Sequence, residues 1–391
     1  MNTNSTNEHE KKQRLQITSV CTVIVSLFCA AIFGVLILSA VLPDREKSET
    51  ENRVLKQFPK LSLSAVFDGS FMKSFETYLN DQFPFRDGLI ALKTKVDRAA
   101  GKTEENGVYI GRDGFLFESP ATANSEQIKG LTKAVTAFSR NNKKLKKAFI
   151  LSPNATDILP EKLPGALKLQ NRDDAFAQIK KGLHGVSWID CKAAFEKQED
   201  KAALFYRTDH HWTTRAAYLA FKELSSVWKL GAKDSSYSFY TVSSSFCGTL
   251  SSSAAVKDSA DKIEICVPKK QSGKYTVLYE SSSRKTASLF EKEKLNQKNQ
   301  YEVFLGGNYD KVIISTAADT SAALLVFKDS YANCMLPMLT PYFSKIVIID
   351  PRYFSDSLKA VMSETKFTHV LFLYNMDTFL GDTSLVSALE S

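Results

Sequence analysis

At 391 residues and 43% apolar composition, the chain can bury one large core or two modest ones, which excludes a small or disorder-dominated protein. The net charge of +8 comes from 51 basic and 43 acidic residues. The most prominent basic run has no aromatic residue between its lysines that would stack on bases; it consists of Lys143, Lys144, Lys146 and Lys147. We therefore expect no nucleic-acid binding and interpret the run as a solvated helix face.

A long apolar segment lies close to the N-terminus. No charged residue occurs in 15–43, and residues 17–42 provide the roughly 20 apolar residues that a membrane-spanning helix needs. A cleaved signal peptide is the alternative, but its apolar region would be shorter, about 7 to 15 residues, and would end at a small-x-small site. Leu38 breaks such a site before Ala40. We therefore predict an uncleaved transmembrane helix at 17–42.

The charges on either side of this helix predict its orientation. Lys11, Lys12 and Arg14 precede it, whereas the segment after Pro43 mixes basic and acidic residues. By the positive-inside tendency, residues 1–16 form a cytoplasmic tail and the chain after the helix is translocated. We expect a single-pass protein of the cell membrane with its main domain outside the cell.

The first translocated segment, residues 43–104, is predicted to be a linker followed by helices. The stretch 44–59 is charged and rich in turn residues, and apolar positions recur at helical spacing from Leu61 to Ala99. Pro84 predicts a break between two helices. Next, Val108 to Phe117 alternates around two glycine-containing turns, which predicts a hairpin at the start of the main domain.

The main domain, residues 105–391, alternates short apolar runs with segments of helical length. The runs are 147–151, 186–189, 321–327, 345–349 and 369–374. Such strands indicate a buried parallel sheet covered by helices, hence an α/β layered domain. Residues of about 234 to 310 are rich in Ser and Lys and are expected to form an insertion, with hairpin-like pieces at Tyr275 to Tyr279 and Tyr301 to Leu305.

Four cysteines follow the apolar segment: Cys191, Cys247, Cys266 and Cys334. They have no CxxC spacing, which disfavours a zinc site. One disulfide, such as Cys247 with Cys266, is compatible with the sequence and is left open.

The segment RTDHHWTTRAAY, Arg207 to Tyr218, concentrates functional residue types just before a predicted helix. Asp209, two residues before His211, can orient the imidazole and stabilise its protonated form. Adjacent histidines also bind metals, but a third ligand would be needed and none is evident in the sequence, so we expect no metal. His210 could instead have a purely structural role, because neighbouring side chains in a loop point in different directions.

The segment AALLVFKDSYANCML, Ala322 to Leu336, predicts a strand that ends near Phe327 and a helical stretch that begins near Tyr331. Ser330 would then lie in the turn at the carboxyl edge of the sheet, where ligands of open α/β sheets bind. Free N–H groups of the following helix could stabilise an oxyanion. The local pattern alone favours an ordinary helix cap at Asp329 or Ser330, but the separate Asp209 and His211 pair in the same chain favours a nucleophile.

At these residues the sequence resembles the DHHW family of the SGNH hydrolase-like superfamily, which also includes the alginate O-acetylation proteins. Nine blocks match in order, and together they are far more specific than any one of them. They are ENR at 51–53, DQFPFRD at 81–87, the hairpin 108–117, PEKLP at 160–164, TDHHW at 208–212, FCGTL at 246–250, LGGN at 305–308, KDSYA at 328–332 and DPRY at 350–353.

The resemblance implies an SGNH-like, flavodoxin-like three-layer α/β sandwich with a parallel sheet and a circularly permuted motif order. It implies a nucleophile at Ser330, with Asp209 and His211 as its acid and base partners. It also implies acetyl transfer to exported polysaccharide beside a multi-pass membrane acyltransferase that supplies the acyl group, without a cofactor.

Several further residues are candidates for oxyanion or substrate binding. The backbone near Ser330 or Tyr331 would supply oxyanion donors, and Asn154, after an apolar strand, is a weaker candidate that also suits an ordinary turn. Arg352 could bind an acceptor or pair with a carboxylate. Trp212 could line a sugar site or pack beneath the histidine loop, and His210 could lie beside it.

The predicted function is O-acyl transfer through an acyl-serine intermediate. Two alternatives stay open. An esterase would use the same three residues with water as the acceptor, and a non-catalytic glycan-binding or assembly subunit would keep the fold without the activity.

Overall fold

The structure, a computed structural model, describes residues 3–48, 53–165, 167, 172–269 and 275–391. Glu51 and Asn52 of the ENR block lie outside the described residues. The chain divides into two compact units, Met1–Lys93 and Thr94–Ser391, which are described separately.

The first unit begins with helix α1, Thr3–Val41, whose portion Gln16–Val41 is long and apolar enough to cross a membrane. This agrees with the predicted span and is compatible with a single-pass anchor. Two short strands, β1 (Lys47–Ser48) and β2 (Arg53–Val54), pair antiparallel. Helices α2 (Leu63–Phe67), α3 (Ser70–Asp81) and α4 (Arg86–Ala99) follow, so the predicted break near Pro84 is present.

The second unit opens with a three-stranded antiparallel sheet: β3 (Glu104–Glu105), β4 (Val108–Ile110) and β5 (Leu116–Glu118). The turn between β4 and β5 contains Asp113 at φ 55° and Gly114 at φ 77°. The predicted hairpin at 108–117 is therefore present.

An eight-stranded sheet forms the centre of this unit, in the order β11-β10-β12-β14-β13-β15-β6-β7. Its strands are β6 (Lys146–Ser152), β7 (Ser187–Ile189), β10 (Tyr275–Tyr279), β11 (Arg284–Thr286), β12 (Lys311–Thr316), β13 (Ala323–Lys328), β14 (Lys345–Ile349) and β15 (His369–Asn375). Strands β14, β13, β15, β6 and β7 are parallel. These five strands are the ones that the apolar runs predict.

Helices cover both faces of the sheet because alternate residues of each central strand are buried on opposite sides. In β13, Leu324 and Val326 belong to one apolar cluster, and Leu325 and Phe327 belong to the other. The helices are α5 (Ser125–Asn141), α6 (Ala155–Ile158), α7 (Arg172–Gly182), α8 (Cys191–Glu196), α9 (Thr214–Trp228), α10 (Thr249–Ala254), α11 (Leu336–Leu339), α12 (Leu358–Glu364), α13 (Met376–Gly381) and α14 (Ser384–Glu390). Helices α8 and α9 contribute to the first cluster, whereas α5, α7, α12 and α14 contribute to the second. The result is the predicted three-layer α/β sandwich.

Two details differ from the sequence predictions. The sheet is mixed, because β12, β10 and β11 extend the parallel strands in antiparallel fashion. The piece at Tyr301 to Leu305 is not a hairpin strand; Gln300–Val303 forms a 3-10 turn. Cys247 and Cys266, whose pairing the sequence left open, are free thiols. An antiparallel pair, β8 (Tyr237–Phe246) with β9 (Asp261–Pro268), lies in the expected insertion before β10.

Candidate active site

The loop before α9 is held at its start by a buried carboxylate. Asp261 accepts hydrogen bonds from the backbone N–H of Arg207 (3.0 Å) and from both the N–H and the hydroxyl of Thr208 (2.8 and 2.6 Å). At the other end, the Thr213 hydroxyl caps α9 by accepting from the Ala216 N–H. Both ends of the DHHW segment are thereby fixed.

Ser330 follows β13 at the carboxyl edge of the parallel strands. The cap of the turn Ser330–Cys334 is Asp329, whose Oδ1 accepts from the Tyr331 N–H at 2.9 Å. Its Oδ2 accepts from the N–H and side-chain amide of Asn375, both at 2.7 Å. Burial raises the pKa of Asp329 to about 6. Because Asp329 serves as the cap, the Ser330 hydroxyl is available for other contacts.

The structure brings Ser330, His211 and Asp209 together. Ser330 Oγ lies 2.8 Å from His211 Nε2, and His211 Nδ1 lies 2.6 Å from Asp209 Oδ1. His211 is 5% exposed and Asp209 is 2% exposed, whereas Ser330 is half-buried. Ser330 is therefore the least buried of the three residues, and its two partners are shielded from solvent.

The FCGTL block lies against the Asp209 carboxylate. Oδ2 of Asp209 accepts from the N–H and hydroxyl of Thr249, at 2.9 and 3.0 Å. A Cβ at Gly248 would lie 2.5 Å from the same oxygen, so only glycine allows this approach. Burial disfavours ionisation of Asp209, but the neighbouring His210 and His211 and these hydrogen bonds hold its pKa well below the usual range.

His211 is held in a neutral state by its surroundings. Burial lowers its pKa, a charge on His210 lowers it further, and Asp209 opposes both, so that the pKa is about 4. Its ring stacks on Tyr301, with centroids 3.7 Å apart and planes within 13°. The Tyr301 hydroxyl donates to the Ser330 carbonyl at 3.3 Å. Sequence reasoning missed Tyr301, since its only signal was its closeness to the LGGN block.

Two of the candidate binding residues prove to be buried supports. Trp212 is fully buried and donates through Nε1 to the Tyr331 carbonyl at 2.9 Å, so it packs beneath the histidine loop and does not line an open sugar site. The Tyr331 side chain is also fully buried and its hydroxyl donates to the His210 carbonyl. The Tyr331 N–H already donates to Asp329 Oδ1 at 2.9 Å. Among the described residues, the Ser330 N–H has no acceptor, and it remains the backbone candidate.

The other candidates lie at neighbouring strand ends. Asn154 is 4% exposed, and its Oδ1 accepts from the Asp377 N–H at 3.1 Å. Its Nδ2 makes only long contacts of 3.4 Å, to Tyr331 Oη and Asn375 Oδ1. Asn154 therefore joins the ends of β6 and β15, and no hydrogen bond from it reaches the serine.

Arg352 forms a two-pronged ion pair with Asp350, through Nε at 2.8 Å and Nη2 at 2.7 Å. Asp350 also pairs with the fully buried Lys328 at 3.1 Å, and Asn308 of the LGGN block accepts from Lys328 Nζ at 2.8 Å. The Arg352 side chain remains 27% exposed. The KDSYA, LGGN and DPRY blocks thus meet in one polar network.

A metal ion bound by the DHHW loop would have to replace hydrogen bonds that its side chains already make. In the part of the chain that the structure describes, one cluster could offer three ligand atoms within 4.8 Å of one another: Asp209, His210 and His211. Both His211 nitrogens are engaged, and His210 Nδ1 lies 2.9 Å from Thr249 Oγ1. The donor set suits proton transfer better than metal binding.

Comparison with known proteins now identifies the family. Residues 108–307 match the family described as SGNH hydrolase-like domain, acetyltransferase AlgX. The chain belongs to this family. The match confirms the resemblance drawn from the ordered blocks, although Ser330 lies beyond the matched range.

Relatives and solved structures agree with this family. Over 188 residues the chain is 28% identical to a probable alginate O-acetylase AlgJ of Pseudomonas syringae pv. tomato, covering 44% of this chain and 47% of the relative. It is 25% identical over 184 residues to AlgJ of Pseudomonas aeruginosa, covering 44% and 46%. The chain spans about half the length of these curated relatives.

Two solved structures share the fold. A DHHW family protein from Eubacterium siraeum superposes with a TM-score of 0.62 at 23% identity, covering 73% of this chain and 96% of that protein. PatB1 of Bacillus cereus, solved with a sulfonyl adduct, gives 0.60 at 19% identity, covering 71% and 96%. The SGNH-like fold predicted from the sequence is confirmed.

Proposed function

We propose that this chain is a membrane-anchored O-acyltransferase that transfers acetyl groups to an exported or cell-surface polysaccharide outside the cytoplasm. The observation that carries the proposal is the hydrogen-bonded series from Ser330 Oγ through His211 to Asp209, at 2.8 and 2.6 Å. The family and the names of the AlgJ relatives support acetyl transfer and a polysaccharide acceptor.

In the proposed first half-reaction, Ser330 Oγ attacks the carbonyl carbon of an acyl donor while its proton passes to His211 Nε2. Asp209 accepts a hydrogen bond from Nδ1–H and stabilises the imidazolium that forms. The Ser330 N–H would stabilise the developing oxyanion. Collapse of the tetrahedral intermediate expels the donor's oxygen, which takes the proton from Nε2, and leaves acyl-Ser330.

In the second half-reaction, a hydroxyl of the glycan attacks the acyl-serine. Its proton passes to His211 Nε2, the bond from Ser330 Oγ to the acyl carbon breaks, and Oγ recovers the proton. The same residues would hydrolyse the ester if water attacked instead. The two reactions therefore differ only in the acceptor.

The apolar helix supports an anchored enzyme. Helix α1 contains a span long enough for a membrane, and the basic residues before it favour a cytoplasmic N-terminus. A multi-pass membrane acyltransferase that carries acetyl groups across the membrane would be the donor. Protease treatment of intact cells should remove the main domain, and full protection of that domain would contradict the proposed orientation.

Mass spectrometry of the detergent-solubilised chain after reaction with p-nitrophenyl acetate tests the chemistry. We expect an acetyl group on the Ser330 peptide that is absent in Ser330→Ala and His211→Ala and is retained in Ser253→Ala, a matched variant at an exposed serine. Adding glycan acceptors should then discharge the acetyl group to sugar. Release of free acetate alone would favour the esterase, and no adduct with several donors would favour a non-catalytic subunit.

A further inference from the structure

A basic surface lies at the edge of the sheet opposite to Ser330. It consists of two grooves, with volumes of 670 and 560 Å³, which adjoin each other because Arg140, Lys143 and Leu145 line both. They are lined by the C-terminal end of α5, the loop before β6, the starts of β6 and β7, and the segment before β15. Ser330 follows the other end of β13, so the length of a six-residue strand, about 20 Å, separates the two sites.

The side chains that line the grooves are strongly basic. Among the residues that the structure describes, the lining includes no Asp or Glu, while the basic residues are Arg140, Lys143, Lys144, Lys146, Lys147 and Lys366. All but Lys147 are exposed. These five make no ion pair among the described residues.

Stabilisation of helix ends explains only part of this charge. Lys147 is buried and donates to the Ser139 and Asn142 carbonyls at 3.2 and 2.8 Å, which satisfies the end of α5. Helices α5 and α9 both end here, but each terminus contributes only about half a negative charge. The five exposed cations that line the same two grooves repel one another, and an anion bound among them would relieve that repulsion.

The floor of the grooves points to the kind of anion. Leu145 and Val186 are half-buried and Val227 is 46% exposed, so apolar surface lies between the cations. A sugar chain has apolar C–H faces as well as charged groups, and a concave channel suits a linear polymer better than a flat lipid surface. Arg140 in addition offers the planar fork that binds a carboxylate or phosphate through two hydrogen bonds.

We propose that these two adjoining basic grooves together bind a linear glycan that carries repeated carboxylate or phosphate groups. The site is separate from the acyl-transfer centre and does not depend on it. It would hold an anionic part of a cell-surface polymer while another part is within reach of Ser330.

Binding measurements on the full chain in phosphatidylcholine nanodiscs test this proposal. Polygalacturonate and a phosphomannan are the probes, with dextran as the neutral control, titrated between 50 and 300 mM salt, and binding to vesicles that contain phosphatidylglycerol is measured in parallel. We expect at least one polyanion to bind and dextran not to bind. The logarithm of the affinity should fall linearly with the logarithm of the salt concentration.

Charge-reversal variants locate the site. The double variant Lys143→Glu with Lys144→Glu should weaken polyanion binding about tenfold or more and reduce the salt slope by about one to two. The matched double variant Lys257→Glu with Lys285→Glu, at exposed lysines outside the grooves, should bind nearly as the unmodified chain does. Ser330→Ala should bind unchanged, which separates this test from that of the proposed function.

Three outcomes would overturn the proposal. They are no binding of either polymer, an equal loss of polymer affinity in both double variants, and binding of the chain only to vesicles that contain phosphatidylglycerol. The last would assign the groove to a membrane surface. A circular dichroism spectrum of each variant ensures that a loss of binding is not a loss of fold.

Discussion

The ring of Tyr301 lies face to face with His211, with centroids 3.7 Å apart and planes inclined by only 13°. The same tyrosine donates its hydroxyl to the carbonyl of Ser330. One side chain thus touches both residues whose hydrogen bond underlies the proposed chemistry. It fixes the ring plane of the base, which the Asp209 hydrogen bond alone does not.

Replacing this tyrosine should therefore slow acylation. Stacked aromatic pairs contribute about 0.5 to 1.5 kcal/mol beyond area burial, so Tyr301→Leu should lower the acylation rate by about 3- to 10-fold or more. Tyr301→Phe keeps the ring and should retain most of the rate. Stopped-flow release of p-nitrophenol measures both, and an equal loss in the two variants would show that the hydroxyl matters rather than the stacking.

Gly248 should not tolerate a side chain. A Cβ there would lie 2.3 Å from the Asp209 Cβ and 2.5 Å from Oδ2, so Gly248→Ala must displace the carboxylate or the backbone. We expect a loss of about 1 to 3 kcal/mol in the free energy of unfolding and a fall in acylation of about 100-fold, since a displacement near 1 Å can cost that much.

Gly130→Ala is the matched control for that substitution. Gly130 lies on α5, and nothing lies within 4 Å of a Cβ built there. Alanine should leave acylation unchanged and raise stability by up to about 1 kcal/mol. Urea unfolding and the acylation rate, measured together on both variants, would contradict the argument if Gly248→Ala behaved like the control.

The acid limit of activity should lie at unusually low pH. The reaction needs neutral His211, whose pKa is lowered to about 4 mainly by burial. As pH falls, the ring gains its proton and the rate drops; above the pKa, the neutral form predominates and the rate is constant. The acylation rate should therefore be flat from pH 8 to about pH 5 and fall with a midpoint near 4.

A midpoint near the ordinary histidine pKa of about 6.5 would contradict this environment for His211. Because acid can also unfold the protein, the far-ultraviolet circular dichroism spectrum and recovery of activity at pH 7 should be recorded for each sample. Only reversible loss with an intact spectrum reports the titration.

The buried Lys328–Asp350 pair should be important for stability. Both side chains are fully buried, and they lie 3.1 Å apart. Asp350→Asn leaves the lysine without its carboxylate partner, and we expect a loss of about 3 kcal/mol or more in the free energy of unfolding.

Glu264→Gln is the comparison at the surface. It breaks the ion pair with Arg215, whose side chain is 51% exposed. The free energy of unfolding should fall by less than about 1 kcal/mol. Equal stability of the two variants in urea would show that Arg352 and Asn308 compensate fully in the core.

The sequence alone determined the elements that depend on local pattern. The charge-free span 17–42 predicts the long apolar helix, and the five apolar runs predict the parallel strands, because strand β13 and its neighbours are buried on both faces. Asp209 and His211 are two residues apart and Ser330 follows a strand, so the sequence predicted all three as site residues. The ordered blocks indicated the family.

Tertiary structure decided what depends on distant contacts. Asp209 and Ser330 are 121 positions apart in the chain, and only the packing of the DHHW loop against the end of β13 brings His211 between them. The fit of Gly248 against Asp209, the stacking of Tyr301 and the burial of Trp212 arise in the same way. Local spacing carries no information about such contacts, since each side chain meets its partner only after the sheet has assembled.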